Sequence, residues 1–194
     1  MYNMLNPYLD LEINIYTIYM GICFGRELCK VAAYKTDTKK RTFAGQQRLV
    51  KVVKIYDGDT ITIVTKLDKK EEEKSYRLRL SGLDAPEKKL LQSSFNRNLH
   101  IQAGQRVTDL LTKKLGGLNS VILVEFQKEE KYGRLMGTIW TIRGTCCGGW
   151  KRDININNWL LRNGLALAYD GNAKTSFTNK QLNDIIRFRL TDEL

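Results

Sequence analysis

The feature that most limits how this chain can fold is a change in apolar spacing at Leu49. From there Val50, Val52, Val53 and Ile55 are β-branched. After an Asp57-Gly58-Asp59 turn, Ile61 and Ile63 alternate with Thr60 and Thr62. A period of two marks half-buried strands, because successive side chains point to opposite faces of a sheet. Tyr76, Leu78 and Leu80 repeat the pattern against Arg77, Arg79 and Ser81, so both arginines are expected on one strand face. Lys66 to Ser75 is a charged loop between these strands. Val121 to Phe126 and Met136 to Ile142 read as two more strands, the second entered through a turn at Tyr132-Gly133.

Helical spacing appears in three places. Ala103, Val107, Leu110 and Leu111 fall at i, i+4, i+7 and i+8, and Gly116-Gly117 stops that helix. Asn157 is expected to cap a short helix carrying Trp159, Leu160 and Leu161, closed by Gly164. Thr178 to Gln181 forms a capping box that opens a last helix with Leu182, Ile185 and Ile186 on one face. Gly144 to Lys151 reads as a loop insertion. Short strands with interspersed helices suit an α+β domain built on a small closed barrel. Periodicity alone leaves the type of barrel open.

At 194 residues and 42% hydrophobic, the chain is long and apolar enough for one domain with its own core. That domain is expected to span 48–190. Residues 1–47 form a dissimilar N-terminal extension and linker. Within it, Ile13 to Phe24 is shorter than the roughly 20 residues a membrane span needs. Asp10 and Glu12 stand where a secretory signal would be basic. A signal anchor, a membrane-surface segment and an accessory packed element are open readings, and the last is the expectation. No clear signal peptide or full span is present, and the compartment is left unknown. The final Thr-Asp-Glu-Leu is read as a chance likeness to a retention signal. Cys23, Cys29, Cys146 and Cys147 lack zinc-site spacing, and His100, the only histidine, is read as a surface or helix-start residue. The net charge of +11 favours a polyanionic partner.

Four separated segments carry the chemistry: Asp57 to Thr60, Arg79 to Glu87, Lys131 to Arg134 and Asn163 to Ala166. Asp59 and Asp84 offer hard oxygen ligands that suit Ca²⁺ or Mg²⁺ better than Zn²⁺. Taken alone, Asp-Gly-Asp is good turn chemistry, and an EF-hand is excluded because its loop glycine and distal glutamate are missing. Glu87, fixed in part by Pro86, is a carboxylate able to orient or deprotonate a water, and is also an ordinary helix-start residue. Arg79 and Arg134 are permanently charged forks that match phosphate oxygens. Singly they are equally well barrel-face and hairpin arginines.

In combination, from about Leu49 to Tyr169, these segments resemble the staphylococcal nuclease (thermonuclease) family, of OB-fold type. The resemblance implies a five-stranded OB-fold barrel with about three helices. It also implies a calcium-dependent endonuclease that hydrolyses DNA, RNA or both and leaves 3′-phosphate ends. By that likeness Asp59, Asp84 and the Ala85 backbone carbonyl hold Ca²⁺, with Asp57 supporting them from behind. Glu87 is the general base, and Arg79 and Arg134 bind the phosphate. Lys131, Tyr132 and Tyr169 contact the nucleotide, the last after a one-residue shift in alignment. The type member carries threonine where this chain has Ala85, so a hydroxyl contact is lost while the carbonyl remains. A monomer with no protein partner is expected. The alternative is an OB-fold module that binds nucleic acid without cutting it. Such modules usually lack part of the acid and arginine set retained here.

Overall fold

In the computed structural model, the period-two segments become a ring of strands. The structure describes residues 43–66, 72–89, 96–127, 134–145, 149–171 and 176–190. All of them lie within one compact unit, Thr42–Leu194. The expectations for Ile13 to Phe24, Cys23, Cys29, Lys131, Tyr132, Cys146, Cys147 and the C-terminal tetrapeptide fall outside the described residues.

Strands β1 (Gln47–Ile55), β2 (Thr60–Thr65) and β3 (Lys74–Leu80) form an antiparallel meander. β5 (Val121–Phe126) pairs with the other edge of β1, and β6 (Leu135–Gly144) pairs with β5. Parallel pairing of Leu78–Leu80 with Leu135–Gly137 then joins β3 to β6 and closes the five-stranded OB-type barrel. Closure leaves no free edge among these five strands. The inward positions are Val50, Val52, Ile61, Ile63, Leu78, Leu80, Ile122, Val124 and Ile139, each at most 2% exposed. Burial of one such side chain contributes roughly 1.5–3 kcal/mol.

Helix α1 (Arg97–Lys114) buries the expected stripe Ala103, Val107, Leu110 and Leu111 in the same core. α3 (Asn179–Arg187) packs against α1 and has the expected capping box, with Thr178 accepting from Gln181 N. Arg106 Nη2 donates to the Phe188 carbonyl just beyond α3 (2.5 Å) and ties the two together. No described helix is long and apolar enough to cross a membrane.

Three local expectations need correction. β3 starts at Lys74, two residues before the alternation becomes apolar. Gly144 to Lys151 is partly a hairpin, because β7 (Trp150–Asn155) pairs with β6 at Gly144–Trp150 and Arg143–Lys151. β7 lies outside the barrel with Trp150 to Asp153 exposed, so no apolar alternation marks it. The cap of α2 (Ile156–Arg162) is Asn155, whose side chain accepts from Asn158 N (3.0 Å). Asn157 is instead buried. It accepts from Ile139 N (3.0 Å) and donates to the Ser81 carbonyl (2.9 Å), bracing the barrel where β3 meets β6.

Candidate active site

Local backbone chemistry makes the first wall. The N–H groups of Tyr56 and Asp57 both reach the Thr60 carbonyl (2.9 and 3.3 Å), which folds the β1–β2 connection tightly. Asp57 Oδ1 accepts from Asp59 N (3.3 Å), so the first aspartate shapes the loop that presents the second. Gly58 lies against α1 and Ala85. A Cβ there would sit 2.6 Å from Val107 Cγ1 and 2.7 Å from Ala85 Cβ, so only glycine lets the turn lie this deep.

The second wall comes from β3 and the short β4 (Leu83–Asp84), which pairs with β8 (Leu167–Ala168). Asp84 therefore sits in a strand. Register places Arg79 opposite Thr60. The Arg79 guanidinium holds both aspartates, Nη1 on Asp59 Oδ1 and Nη2 on Asp84 Oδ1, each at 2.8 Å. Thr60 Oγ1 donates to Asp59 Oδ1 (2.8 Å) and Ala85 N to Asp59 Oδ2 (3.0 Å). Asp59, Asp84 and Arg79 are 4%, 7% and 9% exposed.

Burial dominates the electrostatics of Asp59. Loss of water raises its pKa from 3.8 to about 6, with a smaller push from the neighbouring Asp57 charge. Arg79 is the largest opposing influence, helped by the Ala85 N–H and the Thr60 hydroxyl. Negative charge at this position is thus only partly compensated by the protein.

A cavity of about 570 Å³ opens on this pair. Asp57, Asp59, Arg79, Ala85, Glu87, Arg134 and Tyr169 all line it, so seven residues singled out by the sequence converge, and Asp84 adjoins through Arg79. The parallel β3–β6 pairing explains the approach of Arg134. It immediately precedes Leu135, which registers with Leu78 beside Arg79. Tyr169 is anchored by its N–H on the Gly82 carbonyl (3.1 Å). Glu87 is exposed on a segment laid directly on α1, where a Cβ at Gly104 would meet Pro86 O at 2.6 Å and Glu87 C at 2.9 Å.

Sequence reasoning missed Lys54, Tyr56, Lys88 and Lys89, which also line the cavity. Lys88-Lys89 directly after Glu87 was a usable signal, since a basic pair beside an acidic site residue suits a polyanion. Tyr56 carried no motif of its own.

Among the described residues no three His, Cys, Asp or Glu side chains cluster as a metal site. A cation here would rest on two carboxylates completed by neutral oxygens, the donor set of hard divalent ions. The buried, under-compensated charge of Asp59 fits such an ion.

The family profile described as staphylococcal nuclease homologue matches residues 77–186, which takes in Arg79, Asp84, Glu87, Arg134 and Tyr169. Asp57 and Asp59 lie upstream of that match. Two curated relatives, from Escherichia coli O157:H7 and Escherichia coli, each carry the name uncharacterized endonuclease. Each is 28% identical over 120 residues, which covers 62% of this chain and 60% of the relative.

Proposed function

The chain belongs to the staphylococcal nuclease homologue family, and from that membership and the geometry of the cavity we propose that it is a Ca²⁺-dependent endonuclease acting on DNA, RNA or both. The observation that carries this reading is the cavity itself. It gathers the buried carboxylate of Asp59, the exposed one of Glu87 and two arginines from three distant segments of chain, and the buried Asp84 adjoins it through Arg79. The net charge of +11 supports a polyanionic substrate, as does the name endonuclease given to the relatives.

Asp59, Asp84 and the Ala85 carbonyl would hold the ion, with Asp57 steadying the turn behind them. A bound Ca²⁺ would supply Lewis acidity to the scissile phosphate. Glu87 accepts the proton of the water that attacks phosphorus in line. Arg79 and Arg134 aim fixed N–H donors at oxygens whose charge grows in the transition state. One such donor is typically worth about 3 kcal/mol. Arg134 stays protonated throughout, so it stabilises charge and does not deliver a proton. Lys131 and Tyr132 contact the terminal phosphate and nucleotide, and Tyr169 stacks at the base. The 5′ oxygen leaves and takes a proton from solvent water, which gives 3′-phosphate ends.

Labelled single-stranded DNA and RNA incubated with the purified chain in Ca²⁺, Mg²⁺ or EGTA test the proposal. Cutting in Ca²⁺ but not EGTA, with products that need phosphatase before 3′ extension, is the expected result. Binding without cutting under every metal condition would make the chain a binding module.

A further inference from the structure

The face of β3 that carries Arg79 continues away from the cavity. Arg77 lies two residues along on the same face, a step of about 7 Å. Across the sheet Arg77 registers with Thr62, and Thr62 with Lys54, so these three form one row. The neighbouring row toward the cavity is Tyr56, Thr60 and Arg79, linked by the Tyr56 N to Thr60 O bond and the Thr60–Arg79 register. The Arg77 guanidinium sits 5.0 Å from the centre of the Tyr56 ring and the Lys54 ammonium 5.8 Å from it.

All three side chains are exposed, Tyr56 at 37%, and Lys54 and Tyr56 also line the cavity. Among the described residues neither Lys54 nor Arg77 has a carboxylate within ion-pair distance. The ring is therefore steadied by cations whose charge no described acidic side chain takes up. An aromatic plate flanked by positive charge matches one ligand chemistry, a flat base joined to a phosphodiester.

We propose that Tyr56, Arg77 and Lys54 form a subsite for a neighbouring nucleotide of a single-stranded nucleic acid. The base stacks on Tyr56, and its phosphodiester lies between Arg77 and Lys54. The subsite rests on the reading that the adjoining cavity takes a phosphodiester. It favours single strands because a duplex keeps its bases stacked on each other and presents no free base face to Tyr56.

The test uses the full chain and its Tyr56→Ala, Tyr56→Phe and Arg77→Gln variants. Steady-state cutting is compared on a single-stranded DNA octamer, a dinucleotide and a duplex, and octamer binding is followed in parallel by anisotropy. Tyr56→Ala is expected to raise the octamer KM about tenfold. Its effects on kcat, on the dinucleotide and on the duplex are expected to be smaller. Tyr56→Phe restores the octamer KM, and Arg77→Gln lowers the salt dependence of octamer binding by about one ion. An equal loss on all three substrates, or no loss on the octamer, overturns the subsite while the cutting reading stands. If the wild-type chain cuts nothing, binding decides. Octamer binding about tenfold weaker in Tyr56→Ala upholds the subsite alone, and unchanged binding overturns it.

Discussion

Arg79 has a structural duty besides any catalytic one. Its two terminal nitrogens hold Asp59 and Asp84 in a site where all three are nearly closed to solvent. Removing the guanidinium leaves two buried carboxylates without their cation, a change that ordinarily costs about 3–5 kcal/mol. Arg79→Gln is therefore expected to lower unfolding stability at neutral pH by that amount, read by urea denaturation in EGTA. A change below ~1 kcal/mol would mean the carboxylates are held by their other donors. Asp59 adds a pH dependence whose sign is opposite to that of an ordinary paired carboxylate. Its proton is held more tightly in the folded chain (pKa about 6) than in the unfolded one (3.8). Its contribution is therefore complete below about pH 4 and is lost as pH rises through 6. The metal-free protein is expected to lose on the order of 3 kcal/mol over that window from this group. Added Ca²⁺ should remove the slope by binding the ionised form. A metal-free stability slope between pH 4 and 6 that is the same in Asp59→Asn as in the wild-type chain would contradict the assignment.

At the scale of elements, the strands of the barrel and helices α1 and α3 were legible because their inward residues keep a clean period. Elements whose residues serve a neighbour rather than a buried face were not. β7 shows no alternation because Trp150, Lys151, Arg152 and Asp153 all face solvent outside the closed barrel. Asn155 and Asn157 are the same residue type two positions apart at the start of one helix. Only the fold shows that the first caps the helix and the second braces Ser81 against Ile139. Gly104 was silent for a similar reason. A glycine inside a helix looks like a weakness of about 1 kcal/mol. Here it lets the segment that presents Glu87 lie on α1, with no room for a Cβ beneath Pro86. Gly104→Ala is expected to keep the helix, by circular dichroism, while pushing Glu87 out of place and lowering kcat about tenfold or more. Unchanged kcat would show that the Glu87 segment can shift freely.

Across the whole molecule, the candidate residues could be picked out in the sequence because they stand in short segments with distinctive residue types. Asp-Gly-Asp, Leu-Asp-Ala-Pro-Glu and Gly-Arg each carry charge where a strand begins or ends. Their convergence could not be read from spacing. It depends on the parallel closure of β3 on β6, which brings Arg134 to the cavity that Arg79 also lines, and on β4 pairing with β8, which brings Tyr169 there. Lys54 and Tyr56 were missed because they end an ordinary strand and join the cavity only through the curvature of the barrel. The central claim is that this cavity cuts phosphodiesters with Glu87 as its base, and the most direct measurement compares Glu87→Gln with the wild-type chain on single-stranded DNA in Ca²⁺. Turnover is expected to fall by about 10²–10⁴-fold while substrate affinity stays within about twofold. A variant that cuts at close to the wild-type rate would contradict the claim.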